Sequence, residues 1–219
     1  MRSALVAINL VFIPFAVSAQ TIEQPSPKVG DECHYDVLDN LNAKEKIAER
    51  HAVVSVVDAD HVTITWTQEI LISRDTEDLE AGTWVYDRSM NVVQRNSRKF
   101  DPAYPARFYP LSPGAEKKNV TSKSRRLTND GDVTTTLDGK VGTWEKLTVP
   151  AGTFDILKIS WNGNYVARTD VGRTWNGSVE SEVVLSPATW CQVSGRFSNT
   201  RARGGNFDDR SQVLTKFKN

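Results

Sequence analysis

The chain has 219 residues, with 27 basic and 27 acidic side chains and a formal net charge of zero at pH 7. Its length suits one sizeable domain. Because the charges balance, no overall field would draw the protein to nucleic acid or to an anionic lipid surface, and we expect neither as a partner.

Residues 1–19 have the features of an export signal. Arg2 is the charged start, residues 4–16 form an apolar run, and residues 17–19 (Val-Ser-Ala) form a small-residue cleavage site. We therefore expect residues 20–219 to form a single β-rich domain in the bacterial periplasm, with secretion beyond the cell as the alternative. The apolar run is shorter than the roughly 20 residues of a membrane-spanning helix, and no later apolar stretch reaches that length. We expect no integral membrane segment after signal removal.

Most of residues 20–219 have the pattern of short β-strands separated by turns. In His61–Ile72, one face carries threonines and the other is apolar, which predicts a half-buried strand; the apolar residues are Val62, Ile64, Trp66, Ile70 and Ile72. Residues 58–60 (Asp-Ala-Asp) predict the turn of a hairpin with the preceding strand. The other predicted strands are Glu32–Leu38, Glu49–Asp58, Thr83–Asp87, Asn91–Asn96, Val120–Thr128, Asp132–Leu137, Val141–Val149, Thr153–Trp161, Ser178–Leu185, Trp190–Phe197 and Gln212–Phe217.

Two segments break this pattern. Asn40–Glu49 contains good helix formers, and we expect a loop or a single helical turn there. Phe100–Gly114 carries four prolines interleaved with apolar residues. We expect it to lack regular structure and to pack over a sheet edge or mouth through Tyr104 and Phe108.

The strand Thr153–Trp161 is apolar on both faces. Ile159 and Trp161 lie on one face, while Phe154 and Ile156 lie on the other. Because an antiparallel sheet normally hides only one side, this predicts a sheet curled around a core or an interior space. The predicted fold is all-β, a curved, largely antiparallel sheet or half-barrel of about ten strands.

Cys33 and Cys191 are the two cysteines of the chain. An even count in an exported chain favours one disulfide, with two buried free thiols as the alternative. Each cysteine shares its strand face with apolar neighbours, so we expect both to point toward a core. The role would be structural, since no Cys-x-x-Cys pair is present.

Residues 149–155 (Val-Pro-Ala-Gly-Thr-Phe-Asp) form the most distinctive run of the chain. This run resembles the V-P-A-G-T-F hairpin of uncharacterised bacterial envelope proteins related to the half-barrel of periplasmic lipoprotein carriers. Residues 30–35 are similar to the G-D-x-W-x-Y first strand of those proteins, with Cys33 in place of the aromatic residue, and residues 213–217 are similar to their last strand. The resemblance implies a fold and a compartment and supplies no catalytic residues.

The chain has six tryptophans, which could form a core or line a binding site. Trp66 and Trp161 share a strand face with aliphatic residues, which favours the core. A tryptophan with glycine or lysine neighbours is the better ligand candidate, as is an aromatic residue of the proline-rich segment. The predicted ligand-binding residues are therefore Trp144, Trp175, Tyr104 and Phe108.

Two groups of basic residues could meet phosphates or lipid headgroups. The first group is Lys117, Lys118, Lys123, Arg125 and Arg126, and the second is Arg196, Arg201, Arg203 and Arg210. Basic side chains also protect edge strands from pairing with other chains, and we favour this explanation for both groups.

Metal and catalytic motifs are absent from the sequence. Residues 129–132 (Asn-Asp-Gly-Asp) lack the distal glutamate of a calcium loop and predict a hairpin turn. His34, His51 and His61 are separated by predicted strands and have no zinc-site spacing. No nucleophile elbow or phosphate-binding glycine loop occurs. We predict no catalytic residue, no metal ligand, no cofactor and no enzymatic activity.

The function predicted from these patterns is binding. The first hypothesis is a periplasmic protein that holds a lipid or other apolar small molecule in the concavity of its sheet. The alternative is an envelope module with a filled core that contacts another envelope protein. An enzyme of unfamiliar type would need carboxylates or histidines that converge in a cleft.

Overall fold

The computed structural model describes residues 21–72, 81–126, 131–202 and 205–218, which form thirteen β-strands and no α-helix. The predicted export signal, residues 1–19, lies outside this part of the chain. Within the described residues, no helix is long and apolar enough to span a membrane. The strands are β1 (Glu32–Asp39), β2 (Glu45–Val57), β3 (His61–Ile70), β4 (Gly82–Asp87), β5 (Val92–Arg95), β6 (Arg98–Tyr104), β7 (Glu116–Arg126), β8 (Asp132–Val141), β9 (Glu145–Val149), β10 (Gly152–Arg168), β11 (Thr174–Ser186), β12 (Thr189–Arg201) and β13 (Gly205–Lys218).

Twelve of these strands form a closed antiparallel barrel, in the order β1 to β8, then β10, β11, β12 and β13, which pairs again with β1. The predicted half-barrel of about ten strands is wrong. The closing strand is β10, which continues seven residues past the predicted end at Trp161. Its residues 157–168 pair with β11 on one side, and residues 159–168 pair with β8 on the other. This pairing leaves no free edge where a half-barrel would have two.

The thirteenth strand, β9, explains why β10 is apolar on both faces. Gly152–Ile156 of β10 pairs with β9, whereas the rest of β10 belongs to the barrel. Ile156 and Leu157 are adjacent and both buried, so the buried face changes where the strand passes from one pairing to the other. The two-sided pattern therefore marks a strand shared between a hairpin and a barrel.

The apolar side chains form two main clusters inside the barrel. One cluster joins β1 to β5 with β12, β13 and the β9–β10 hairpin, and it includes the predicted face of β3, namely Val62, Ile64 and Trp66. The other cluster joins β8, β10 and β11 around Trp161 and Leu137. Burying these alternate faces is what holds such long strands in one barrel.

Cys33 and Cys191 form the predicted disulfide, with Cα atoms 6.0 Å apart. Both residues are fully buried, as the parity of their neighbours predicts. β12 pairs with β13 only from Ser194 onward, so its first residues leave the barrel wall and reach β1 directly. The disulfide thus joins two strands that are not neighbours in the sheet.

Two segment predictions need correction. The predicted loop or helical turn at Asn40–Glu49 is a tight connection that ends at Lys44, where β2 follows, and Ala43 and Lys44 adopt positive φ values of 51° and 61° to make it. Phe100–Gly114 is regular at its start, because β6 extends to Tyr104 and pairs with β5 and β7. Residues 129 and 130 of the predicted 129–132 turn lie outside the described residues.

Candidate functional site

The barrel encloses a cavity of about 960 Å³. Ligand sites for small molecules typically span roughly 300–1,000 Å³, so this interior could hold a molecule of substantial size. Ten aromatic side chains line it: Tyr35, Trp66, Trp84, Tyr86, Phe100, Tyr104, Tyr165, Trp175, Trp190 and Phe197. The sheet is therefore curled around a space rather than around a fully packed core.

One end of the cavity is covered by the segment between β6 and β7. The side chain of Asn91 holds this segment in place, because its Oδ1 accepts hydrogen bonds from the backbone N–H groups of Ala106 and Arg107, both at 3.0 Å. The Trp161 indole donates to the Ala106 carbonyl at 3.2 Å, and Phe108 packs edge-on against the same indole at 5.6 Å between ring centroids. The segment is a plug that borders the cavity through Ala106 and Arg107 and packs its apolar side chains, such as Phe108 and Leu111, on the second apolar cluster.

The middle of the lining stacks arginines on tryptophans. The guanidinium carbon of Arg50 lies 4.2 Å from the ring centroid of Trp66 and 5.4 Å from that of Trp84. Arg95 lies 4.3 Å from the Trp84 centroid on β4. Trp66 is 5.3 Å from Trp84, which continues the stack. Cation–π contact of this kind is strongest where water is excluded, as it is around the buried Arg50 and Trp66, while Trp84 and Arg95 are half-buried.

Two buried tyrosines keep their protons in this environment. Burial raises the pKa of Tyr35 and of Tyr86, and the charge of Arg107 opposes the rise at both hydroxyls. Burial outweighs the arginine, so both pKa values lie above the ordinary value of 10.0. The two phenols are therefore neutral at physiological pH and can donate hydrogen bonds.

Positive charge in the described lining is carried by arginine alone. The arginines are Arg50, Arg95, Arg98, Arg107, Arg196, Arg201 and Arg210. Two acidic residues of the described chain border the same space, Glu182 and Asp208, and Asp208 forms a bidentate pair with Arg210. Every lysine of the chain falls within the described residues, and none lines the cavity. Arginine is the cation that combines stacking on aromatic rings with forked hydrogen bonding to oxyanions.

Two of the four predicted ligand-binding residues line the cavity, and two do not. Trp175 and Tyr104 line the cavity, and Trp175 is 39% exposed, so the cavity reaches the surface beside it. Phe108 belongs to the plug and packs on the core. Trp144 is half-buried against the second apolar cluster and does not line the cavity.

Several lining residues escaped the sequence analysis, and one signal could have found them. Arg50 lies on the same strand face as the buried Ala48 and Ala52 of β2. A charged residue at an apolar position is costly unless something compensates it, so such a position marks an interior polar site. Trp66 was assigned to the core, and it is buried, but it also lines the cavity.

The structure separates the two basic groups by strand pairing. Arg125 of β7 pairs with β6 on one side and with β8 on the other, whereas Lys117 and Lys123 pair with β8 and lie before the part of β7 that pairs with β6. In the second group, Arg201 and Arg210 line the cavity, while Arg203 lies outside the described residues. The edge-strand interpretation is wrong for Arg125, Arg201 and Arg210, whose strands are paired on both sides, and stays a prediction for the lysines of β7.

Outside the cavity, one cluster brings together residues that could hold a metal ion. His34 and His51 are opposite each other on β1 and β2, and their rings stack at 4.1 Å. Their Nε2 atoms lie 3.7 Å and 3.5 Å from Glu32 Oε2. Burial and the neighbouring His51 lower the pKa of His34, which favours the neutral form that a metal requires. The sequence spacing hid this cluster, because pairing across strands brings together residues 17 positions apart.

Lys218 distinguishes this cluster from a typical metal centre. Its Nζ lies 3.6 Å from Glu32 Oε1, and it forms an ion pair with the carboxylate that a metal would use. Burial raises the pKa of Glu32, but Lys218 and His51 outweigh that effect and leave it below the ordinary value of 4.5. Glu32 is thus already compensated by cationic neighbours.

No protein-family model matches the chain, and no curated protein is similar to it. Two solved structures have a similar fold. One is named as an exported protein with a YmcC-like fold from Bacteroides fragilis. It is 14% identical to this chain, and the two align with a TM-score of 0.51 over 91% of this chain and 100% of that protein's chain. The other is named as a lipoprotein from Parabacteroides distasonis, also 14% identical, with a TM-score of 0.52 over 90% of this chain and 97% of its own. At this identity the likeness concerns the fold alone.

Proposed function

We propose that this chain is an exported, non-enzymatic binding protein that holds an apolar or amphipathic molecule inside its barrel. The observation that carries the proposal is the cavity of about 960 Å³ with its ten aromatic side chains. Aromatic walls supply large apolar contact areas to a bound molecule, and their fixed positions leave little side-chain entropy to lose on binding.

Three further observations support this function. The cavity weighs against the alternative of a module with a filled core, since that alternative needs a packed interior. The names of the two structural neighbours, an exported protein and a lipoprotein, agree with an envelope location. The predicted export signal and the disulfide agree with the same compartment. We assign no catalytic residue.

The test is to fill the cavity from one wall. Ser124 and Ala167 are buried, line the cavity and are joined through β8 across the barrel wall. The double substitution Ser124→Trp and Ala167→Trp should remove the space that a ligand needs. The matched control is Lys123→Trp with Val166→Trp, which adds the same side chains one residue away on the outer face of the same strands.

Native mass spectrometry of protein purified from envelope extracts, before and after dialysis, measures bound mass. We expect the natural protein and the outer-face control to carry extra mass, and the filled variant to lose it. Wild-type protein that has only its own mass in every preparation, and that binds none of the amphipathic probes described below, would refute the proposal. Thermal melting of each variant checks that the barrel is intact.

A further inference from the structure

We infer that the bound molecule carries an anionic group, such as a phosphate, sulfate or carboxylate, and that the guanidinium of Arg107 binds it inside the barrel. This inference rests on the proposed function and specifies the chemistry of its ligand. The aromatic side chains of the lining would contact the apolar part of the same molecule.

Arg107 projects from the plug into the cavity and is 9% exposed. Its backbone is fixed by the hydrogen bond to Asn91, so the side chain is held by a rigid support. Among the described residues, its guanidinium makes one hydrogen bond, from Nη1 to the Tyr109 hydroxyl at 3.3 Å, and no ion pair with a carboxylate. The charge of this arginine is therefore buried opposite a phenol.

A buried guanidinium without a counter-charge is unfavourable, because it loses water and gains no opposite charge in return. An oxyanion in the cavity would supply that charge. The planar fork of arginine donates two parallel hydrogen bonds to phosphate or carboxylate oxygens, which gives the contact direction as well as strength. The position of Arg107 on the plug would place the anionic group at the covered end of the cavity.

Other hydrogen-bond donors border the same space. The hydroxyls of Tyr35 and Tyr86 lie close enough to Arg107 to feel its charge. The indole N–H groups of Trp84 and Trp190 are buried and have no acceptor among the described residues. An anion has several lone pairs to satisfy, and these O–H and N–H groups are donors that could reach it within the cavity.

Binding of single-chain amphiphiles to the wild-type protein tests the inference directly. The probes are dodecyl phosphate, dodecyl maltoside and dodecyltrimethylammonium, each below its micelle concentration, with isothermal calorimetry and native mass spectrometry as the measurements. All three have the same tail and differ in head-group charge. We expect dodecyl phosphate to bind roughly tenfold to a hundredfold more tightly than the maltoside, and the cationic probe to bind most weakly.

The variant Arg107→Met keeps most of the apolar stem and removes the charge. We expect its affinity for dodecyl phosphate to fall about tenfold or more, with affinity for the maltoside unchanged. Arg107→Lys, which keeps a charge without the fork, should retain part of the preference. The control Arg125→Met removes an exposed arginine of β7 and should leave all affinities as in the wild type. If Arg107→Met fails to fold, the lysine variant and the wild-type comparison still decide the matter.

The outcomes separate the two proposals. Equal binding of the phosphate and the maltoside by the wild type would overturn the anionic inference and leave the proposed function standing. Binding of none of the dodecyl probes, by protein that also carries no extra mass in any preparation, would overturn the proposed function itself. Inorganic phosphate that binds as tightly as dodecyl phosphate would support anion recognition by Arg107 and identify a free anion, rather than a lipid headgroup, as the source.

Discussion

Removing the disulfide between Cys33 and Cys191 should cost this protein a large part of its stability. The two cysteines are separated by 158 positions, so the bond closes most of the described chain into one loop. In the chain-entropy treatment, a loop of this length restricts the unfolded state by about 5 kcal/mol at 25 °C. Globular domains are stable by about 5–15 kcal/mol in total, so the loss amounts to a third or more of that reserve.

The assay is urea unfolding of three forms: oxidised wild type, wild type with reducing agent, and the double variant Cys33→Ala with Cys191→Ala. The reduced wild type keeps every side-chain atom except the bond, so it separates loop closure from the packing lost with two buried sulfur atoms. We expect both altered forms to be less stable than the oxidised protein by about 2–5 kcal/mol, with the double variant the lower of the two. A difference below about 1 kcal/mol between the oxidised and reduced wild type would refute the loop-closure reasoning, because the unfolded chain would then already hold β1 and β12 together.

Two further predictions concern packing and pH. A Cβ atom at Gly139 would lie 2.5 Å from the Trp161 ring, so Gly139→Ala should lower the free energy of unfolding by about 1–3 kcal/mol. The control is Gly142→Ala, whose new Cβ atom would have its nearest contact at 3.6 Å and should change the free energy of unfolding by less than about 0.5 kcal/mol. Equal urea midpoints for the two variants would contradict the contact. Burial and the neighbouring His51 lower the pKa of His34 in the folded state. The unfolded chain therefore binds a proton at this imidazole more readily than the folded chain does. The contribution of His34 to stability is complete above pH 6.5 and is lost as the pH falls through the folded pKa. Thermal melts from pH 7.5 to pH 5 should therefore show a smaller loss of stability on acidification for His34→Gln than for the wild type. A curve for His34→Gln that coincides with the wild type would show that this imidazole does not contribute.

Much of the strand pattern could be predicted because alternation reports burial directly. In β3 the predicted buried residues Val62, Ile64 and Trp66 are buried, whereas Ile70, which was predicted on the same face, is 51% exposed. The disulfide could be predicted from cysteine count and strand parity together. Both predictions depend on properties that lie within one strand, which the order of residues along the chain contains.

Closure could not be predicted, because strand pairing depends on backbone hydrogen bonds that leave little trace in side chains. Residues 162–164 (Asn-Gly-Asn) have the composition of a turn, and the predicted strand ends just before them. In the structure they are the middle of β10, and a Cβ at Gly163 would lie 1.9 Å from the Thr136 carbonyl oxygen on β8. This glycine is needed for close strand contact and does not make a turn.

The candidate site was predicted only in part for a similar reason. Trp175 and Tyr104 were identified from local composition, and both line the cavity. Arg107 lies in a proline-rich segment whose path inside the barrel depends on Asn91 and Trp161, which are far away in sequence. The closed barrel decides which side chains face the cavity. The sequence patterns did not determine this topology, so they could not identify these side chains.

The division of cations between arginine inside and lysine elsewhere has a practical consequence. Reagents that couple to primary amines attack lysine and leave guanidinium groups intact at neutral pH. Attachment of this protein to a solid support through its amines would therefore leave the chemistry of the barrel interior unmodified. Protein immobilised in this way could be washed with envelope extract, and the molecules it retains could be eluted and identified by mass.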